Sequence, residues 1–207
     1  MIDVKPLLED LVQTPIPTRH GEFILHYYRN SIDNKEHIAL VKGDVAHQDN
    51  IPVRIHSECF TGDVLGSRRC DCGEQLDMAL QLIDEAERGV LVYLRQEGRG
   101  IGLLKKLQAY NLQDQGMDTV DANLHLGYQA DEREYSIAAL ILGSLSINSI
   151  ALITNNPKKI DGLKKLGISI VGRIPIEVKA NDDNLGYLQT KAQKMSHWLF
   201  QEQDEQD

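Results

Sequence analysis

The stretch Arg54-Ile-His-Ser-Glu-Cys-Phe-Thr-Gly-Asp-Val-Leu-Gly-Ser-Arg-Arg-Cys-Asp-Cys-Gly-Glu-Gln75 decides how this chain is read. It holds all three cysteines of the sequence, Cys59, Cys70 and Cys72. Thiolates suit soft and borderline metals, and Zn2+ is the usual intracellular choice. Three protein ligands leave one tetrahedral position to water, the arrangement of a catalytic zinc site rather than a closed structural one. A bound Zn2+ lowers the pKa of such a water to about 7. Arg54, His56, Glu58, Arg68 and Arg69 add groups suited to anion binding and proton handling. Buried thiols without metal are the plainer alternative. The Cys-x-Cys spacing beside a Gly-Asp turn and charged side chains favours metal.

Ile51–Ser57 alternates as a strand, with Ile51, Val53 and Ile55 on one face and Arg54 and His56 on the other. After Gly73, Leu76, Leu80, Ile83 and Ala86 recur at helical spacing, predicting a helix over about Glu74–Arg88 with Gln75 towards the metal loop. Val90–Leu94 reads as a short strand. It runs into the glycine-rich loop Gln96–Gly102 and a helix from Leu103 to about Gln113. A strand, glycine-rich loop and helix can offer backbone N–H groups to phosphate. The spacing here is neither a P-loop nor a dinucleotide fingerprint, so Arg95 and Arg99 carry most of that expectation.

Residues 116–132 read as a polar connection. It contains Thr119 and also His125, which could serve as a fourth metal ligand but reads better as a surface residue. A helix is expected over about Arg133–Ile147, with Asp131 and Glu134 resembling a capping box. A strand at Ser149–Thr154 and a basic helix from Pro157 follow. Two short strands, Ile168–Val171 and Ile174–Val178, precede a last helix over about Leu185–Phe200. Upstream, Phe23–Tyr28 and Glu36–Val41 read as strands. Residues 1–18 are expected to form a loosely tied N-terminal arm, because Pro6, Pro15 and Pro17 interrupt any long element. The fold class is therefore α+β (mixed α/β). We expect a single domain over residues 19–200 with a mixed sheet flanked by helices, and a solvated acidic tail at 201–207.

The chain has 207 residues and a formal charge of -9, from 22 Lys plus Arg against 31 Asp plus Glu. That balance argues against a general nucleic-acid binder, although a local arginine cluster can still dominate a pocket. No apolar run is long enough to span a membrane, and the N-terminus lacks the regions of a signal peptide. Three cysteines at metal spacing, with none left for disulfides, fit a reducing cytoplasm.

The Arg54–Gln75 run resembles the signature of GTP cyclohydrolase II. The resemblance continues through Arg95-Gln-Glu-Gly-Arg-Gly-Ile-Gly-Leu103, Tyr110-Asn-Leu-Gln-Asp-Gln-Gly116, Asp131-Glu-Arg-Glu134 and Thr154-Asn-Asn-Pro-Lys-Lys159. It covers about residues 20–198. It implies hydrolytic opening of the guanine imidazole ring of GTP, with C8 leaving as formate and pyrophosphate also lost, at the head of riboflavin synthesis. It also implies one Zn2+ on Cys59, Cys70 and Cys72, and Mg2+ on the substrate phosphates with few protein ligands.

By the same resemblance Arg54, Ile55, His56, Ser57, Glu58, Gln75, Glu97, Gly98, Arg99, Thr119, Thr154 and Lys159 bind GTP. Gln75 and a carboxylate suit the amide and amino edge of guanine. Tyr110 can donate a proton during ring opening. Asp131 and Arg133 match the family's proton acceptor and proposed covalent nucleophile. Arginine stays protonated and has no lone pair suited to attack, so a bidentate phosphate clamp is its more natural role. The resemblance further implies a homodimer and a stand-alone form without a fused synthase domain.

Two other readings fit the sequence less well. His56-Ser-Glu58 echoes the His-x-Glu of zinc nucleobase deaminases, but the Pro-Cys-x-x-Cys those enzymes need does not follow. A structural zinc module needs a fourth protein ligand, for which only His56 or His125 is available.

Overall fold

The computed structural model describes residues 7–199. Aliphatic and β-branched runs, broken by Gly, Asn and Asp, form the strands β1 (Leu8–Thr18), β2 (Gly21–Asn30), β3 (His37–Lys42), β4 (Ile51–Ser57), β5 (Gly89–Leu94), β6 (Ile150–Ile153) and β7 (Ile170–Ile174). The helices are α1 (Phe60–Asp63), α2 (Cys72–Glu85), α3 (Leu103–Gln113), α4 (Thr119–His125), α5 (Ser136–Ser144), α6 (Pro157–Lys165) and α7 (Leu185–Met195). The strands make one sheet in the order β1-β2-β3-β5-β4-β6-β7. Pairing is antiparallel from β1 through β3 to β5, and parallel among β5, β4, β6 and β7. This is the mixed sheet, flanked by helices, that the sequence predicts.

Period-two alternation sorts the core onto the two faces of the sheet. Val53 and Ile55 of β4 and Val90, Val92 and Leu94 of β5 pack with Ile137, Ile141 and Leu142 of α5 and Leu163 of α6. On the other face Leu91 and Ile153 pack with Ala79 and Ile83 of α2. Arg54 and His56 point to that second face, which is why polar side chains of a central strand end up buried beside α2. The parallel strands β4, β5 and β6 all end at the same edge. Their carboxyl ends deliver Ser57–Cys59, Arg95–Glu97 and Thr154–Asn156 together, where ligands bind in sheets of this kind.

Several expectations are corrected. Residues 8–18 are an 11-residue edge strand paired along β2, not a loose arm. Pro15 and Pro17 are tolerated because an edge strand has one row of N–H groups with no ladder partner. The polar connection contains α4, capped by the Asp118 side chain, which accepts from the backbone N–H groups of Val120 and Asp121. The two strands expected at 168–178 are one, β7. The helix expected from Arg133 starts at Ser136, so Asp131 does not cap it; its carboxylate is taken up by Arg133. The last helix stops at Met195, where Ser196 turns into the left-handed region. The acidic tail at 201–207 lies outside the described residues. Among the described residues no helix is long and apolar enough to cross a membrane.

Candidate active site and metal centre

Cys59 precedes α1, Cys72 opens α2, and Cys70 sits in the turn between them. Among the described residues these three form the group able to hold a metal, with all their sulfurs within 4.8 Å of one another. The Cys59 and Cys70 sulfurs are 3.7 Å apart. Zinc–thiolate bonds of about 2.3 Å in tetrahedral geometry call for sulfur separations of about 3.8 Å, so the residues fit Zn2+. The chain packs so as to leave the sulfurs room. A Cβ on Gly62 would lie 3.0 Å from the Cys72 Cβ, 3.1 Å from the Cys70 sulfur and 3.2 Å from the Cys59 sulfur.

Hydrogen bonding from Cys70 and Cys72, opposed by burial and then helped by Lys106, holds the Cys59 thiol far below its usual range. The same crowding pushes Cys70 up to about 11 and Cys72 higher than an ordinary thiol. Three sulfurs this close hold one negative charge among them unless a cation shares the site.

Two supports fix the loop. Lys106 of α3 places its Nζ 3.1 Å from the Cys59 sulfur and 2.9 Å from Glu97 Oε1. The other oxygen of Glu97 accepts from the Phe60 N–H at 2.6 Å, and Oε1 accepts from the Gly98 N–H at 2.7 Å. Glu97 is thus occupied in tying the cysteine loop to the glycine-rich turn. The second support is the buried Asp63 carboxylate. It accepts from the Cys59 N–H at 2.9 Å and the Tyr93 hydroxyl at 2.8 Å, and meets His56 Nε2 at 3.0 Å. Burial outweighs Asp63 and keeps His56 below its usual pKa, leaving a neutral ring stacked on Tyr93.

Two cavities open on either side of the cysteines. The metal-side chamber is lined by the three cysteines together with Glu58, Gly98, Tyr110 and Thr119. The Tyr110 hydroxyl lies 3.4 Å from Thr61 Oγ1, and burial raises its pKa, so the phenol keeps its proton at neutral pH. Glu58 is held by Arg95 at 3.1 Å, and its carboxyl is pushed up, first by burial.

The second chamber is cationic and is lined by Arg54, His56, Gln75, Thr154 and Lys159. Arg54 donates to the Ile153 carbonyl at 3.0 Å and to the Gln75 Oε1, whose amide nitrogen donates to Asp71 at 2.6 Å. Lys159 donates to the carbonyl of Ile55, a residue that contributes backbone only. Burial first, then Arg54 and Arg133, hold the Lys159 ammonium well below its usual range.

Ser57, Cys72, Arg99, Arg133 and Tyr187 line both chambers and form the wall between them. Arg133 is forked onto Asp131, with Nε 2.7 Å from one oxygen and Nη2 2.5 Å from the other. Arg99 adopts a left-handed backbone with φ of 62°, a strained state for a residue with a Cβ, and aims its side chain over the Tyr187 ring. Arg54 Nε, His56 Nδ1 and Ser57 Oγ are buried without a partner, and all three residues line the cationic chamber. Buried polar atoms of this kind call for a ligand.

The structure gathers most of the residues marked in the sequence around one divided cleft, with Gln75 in the cationic chamber beside Cys72. Arg68 and Arg69 are not among its lining residues and pair instead with Asp183 and Asp114. His125 ends α4 on the surface, apart from the cysteines. Sequence reasoning missed Lys106, although it sits one helical turn from Tyr110 on the same face, which is a usable signal. Asp63 and the C-terminal residues Tyr187, Lys191 and His197 were also missed; no local pattern marks the last three.

A single mixed sheet, three clustered thiols at its carboxyl edge and an adjoining cationic chamber define a protein with a candidate metal centre beside a chamber suited to anions. Residues 9–175 match the family model described as GTP cyclohydrolase II, and the chain belongs to that family. It is 56% identical over 194 residues to the riboflavin biosynthesis protein RibBA of Chlamydia muridarum, covering 93% of this chain and 46% of that protein. It is 56% identical over 185 residues to the RibBA of Synechocystis sp., covering 88% and 33% respectively. A probable monofunctional riboflavin biosynthesis protein RIBA 3, chloroplastic, of Oryza sativa subsp. japonica is 53% identical over 192 residues, covering 92% and 36%. The chain spans less than half the length of each of these relatives.

Proposed function

We propose that the protein is a zinc-dependent GTP cyclohydrolase II. It opens the imidazole ring of GTP and releases formate and pyrophosphate. The nucleotide product is 2,5-diamino-6-(5-phospho-ribosylamino)pyrimidin-4(3H)-one, and the reaction is the first step of riboflavin biosynthesis. The observation that carries this reading is the position of the cysteine cluster, in a chamber beside Tyr110 with a cationic chamber across the wall formed by Arg99 and Arg133. Loss of C8 as formate breaks two C–N bonds and consumes two waters. Loss of pyrophosphate breaks the bridge between the α- and β-phosphates and consumes a third.

Zn2+ on Cys59, Cys70 and Cys72 would supply a water of pKa about 7. The chain supplies the rest. Tyr110 holds a phenolic proton at the metal chamber, available to an imidazole nitrogen as the ring opens. Lys106 and Asp63 fix the cysteine loop, and Glu58 offers a carboxylate at the rim. Arg54 and Lys159 line the chamber that would take the polyanion, and Mg2+ would offset the phosphate charge. Arg133 clamps phosphate through a guanidinium that Asp131 already holds in plane. Burial works against its charge, but Tyr135 and Asp131 outweigh burial and keep it above even its usual pKa, which favours the clamp over attack on phosphorus.

The family's homodimer belongs to this reading. Exposed Val64, Leu65 and Leu104 are apolar surface open to a second copy, and light scattering tests whether the protein is a dimer.

The test is to incubate zinc-loaded protein with GTP and Mg2+ and to score formate, pyrophosphate, ammonia and the nucleotide together. Equal formate and pyrophosphate support the proposal. Ammonia without formate would replace it with a deaminase. Pyrophosphate alone would reduce it to phosphate chemistry.

A further inference from the structure

The residues matched by the family model end at 175, yet the segment beyond them enters the cleft. Helix α7 contributes Tyr187 to the wall between the chambers and Lys191 to the cationic one, and His197 follows it into the same chamber. Lys191 is buried, and its Nζ lies 2.8 Å and 3.0 Å from the two oxygens of Asp71. Asp71 is 1% exposed and stands between two of the zinc-binding cysteines. The Asp71 carboxylate accepts from the Gln75 amide nitrogen, and the Gln75 oxygen accepts from Arg54. A continuous chain of hydrogen bonds thus runs from the C-terminal helix, through the metal loop, to the arginine at the floor of the cationic chamber. The Lys191 ammonium also lies 5.3 Å from the centre of the Tyr187 ring, whose other neighbour is Arg99 at 5.8 Å.

We propose that helix α7 is part of the active centre and that Lys191 is a positioning residue for triphosphate binding, acting through Asp71 and Gln75 on Arg54. The physical reason is the polarity of that chain. With Lys191 in place, the Asp71 charge is neutralised from the α7 side, and Asp71 holds the Gln75 amide with its oxygen towards Arg54. Without Lys191, a buried carboxylate is left uncompensated close to Arg54 and draws the guanidinium towards itself. Arg54 is then turned from the chamber that it lines with Ser57, where both carry a buried polar atom with no partner. His197, whose Nδ1 is also buried without a partner, lines the same chamber.

The inference rests on the cyclohydrolase reading only for the identity of the substrate, so the probe is inorganic tripolyphosphate, which needs no guanine. The full zinc-loaded chain is compared as wild type, Lys191→Met, Lys191→Arg, Asp71→Asn and the double variant Asp71→Asn/Lys191→Met. The readouts are tripolyphosphate affinity, the KM and kcat for formate release from GTP, and thermal stability. Lys191→Met is expected to weaken tripolyphosphate binding about tenfold or more and to raise KM more than it lowers kcat. Lys191→Arg is expected to restore most of both. On the Asp71→Asn background, Lys191→Met is expected to change affinity by less than about threefold, because its effect runs through the aspartate. The neutral double variant also guards against a fold lost to an unpaired charge. Unchanged affinity in Lys191→Met overturns the proposal. So does an equal loss on both backgrounds. Wild type that binds tripolyphosphate in this Lys191-dependent way but makes no formate would sink the cyclohydrolase reading and leave the positioning role standing.

Discussion

Lys106 reaches across from α3 to place its ammonium 3.1 Å from the sulfur of Cys59. Burial opposes that charge, but the Cys59 sulfur and the Glu97 carboxylate outweigh it and hold the amine above its usual range. A permanent donor on a thiolate ligand orients the sulfur and tempers its charge. Lys106→Met keeps the length of the side chain and removes the donor. Zinc affinity is expected to fall about 10–100-fold, as for other groups that support metal ligands. Competition against a chromophoric chelator measures this, and unchanged affinity would count against the contact.

Gly62 makes a second, steric prediction. Its backbone is helical, so alanine there should favour α1 slightly. The added methyl would crowd the Cys70 and Cys59 sulfurs at 3.1 Å and 3.2 Å. Gly62→Ala is therefore expected to lower zinc affinity without lowering the melting temperature of the zinc-free protein. A fall in both would mean that the crowding is relieved through the fold instead.

The depressed Lys159 ammonium gives the pH dependence its sign. Burial acts first, then Arg54 from β4 and Arg133 from the loop before α5; Lys191 from α7 adds to them, and Asp131 opposes. A bound polyanion reverses this balance and favours the protonated amine. Nucleotide binding should then take up a proton, and affinity should fall as pH rises from the depressed value towards the usual value of about 10.4. Calorimetry above pH 7.5 in buffers of different ionisation enthalpy reads the uptake directly. Lys159→Met should abolish it.

Arg133 and Asp131 separate a clamp from a nucleophile. Arg133→Lys keeps the charge and loses the fork, and is expected to cost about 2 kcal/mol in kcat/KM, or roughly thirtyfold. Protein quenched during turnover should carry no nucleotide on Arg133 by mass spectrometry. A guanylyl adduct at that position would contradict the clamp.

What the sequence revealed follows from where the signal is local. The alternation of β4, the apolar spacing of α2 and the Cys-x-Cys turn each lie within one element, and each was legible. β1 was not, because Pro15 and Pro17 read as breakers until the strand is known to lie at an edge. α4 was hidden in a polar stretch whose helix depends on the Asp118 cap and on packing against α3 and α7. Lys106 meets Cys59 from 47 positions away, and Lys191 meets Asp71 from 120. No periodicity reports such pairs. The parallel sheet creates them by bringing the ends of β4, β5 and β6 to one edge.

In the proposed function the three-cysteine centre carries out the ring opening while the cationic chamber binds phosphate independently. The most direct measurement is formate release from GTP by zinc-loaded wild type and Cys59→Ser, with tripolyphosphate affinity measured on the same samples. Formate release is expected to fall by about a hundredfold or more in Cys59→Ser, because a metal-activated water is lost, while tripolyphosphate affinity stays within about threefold. Formate release within tenfold of wild type would contradict it.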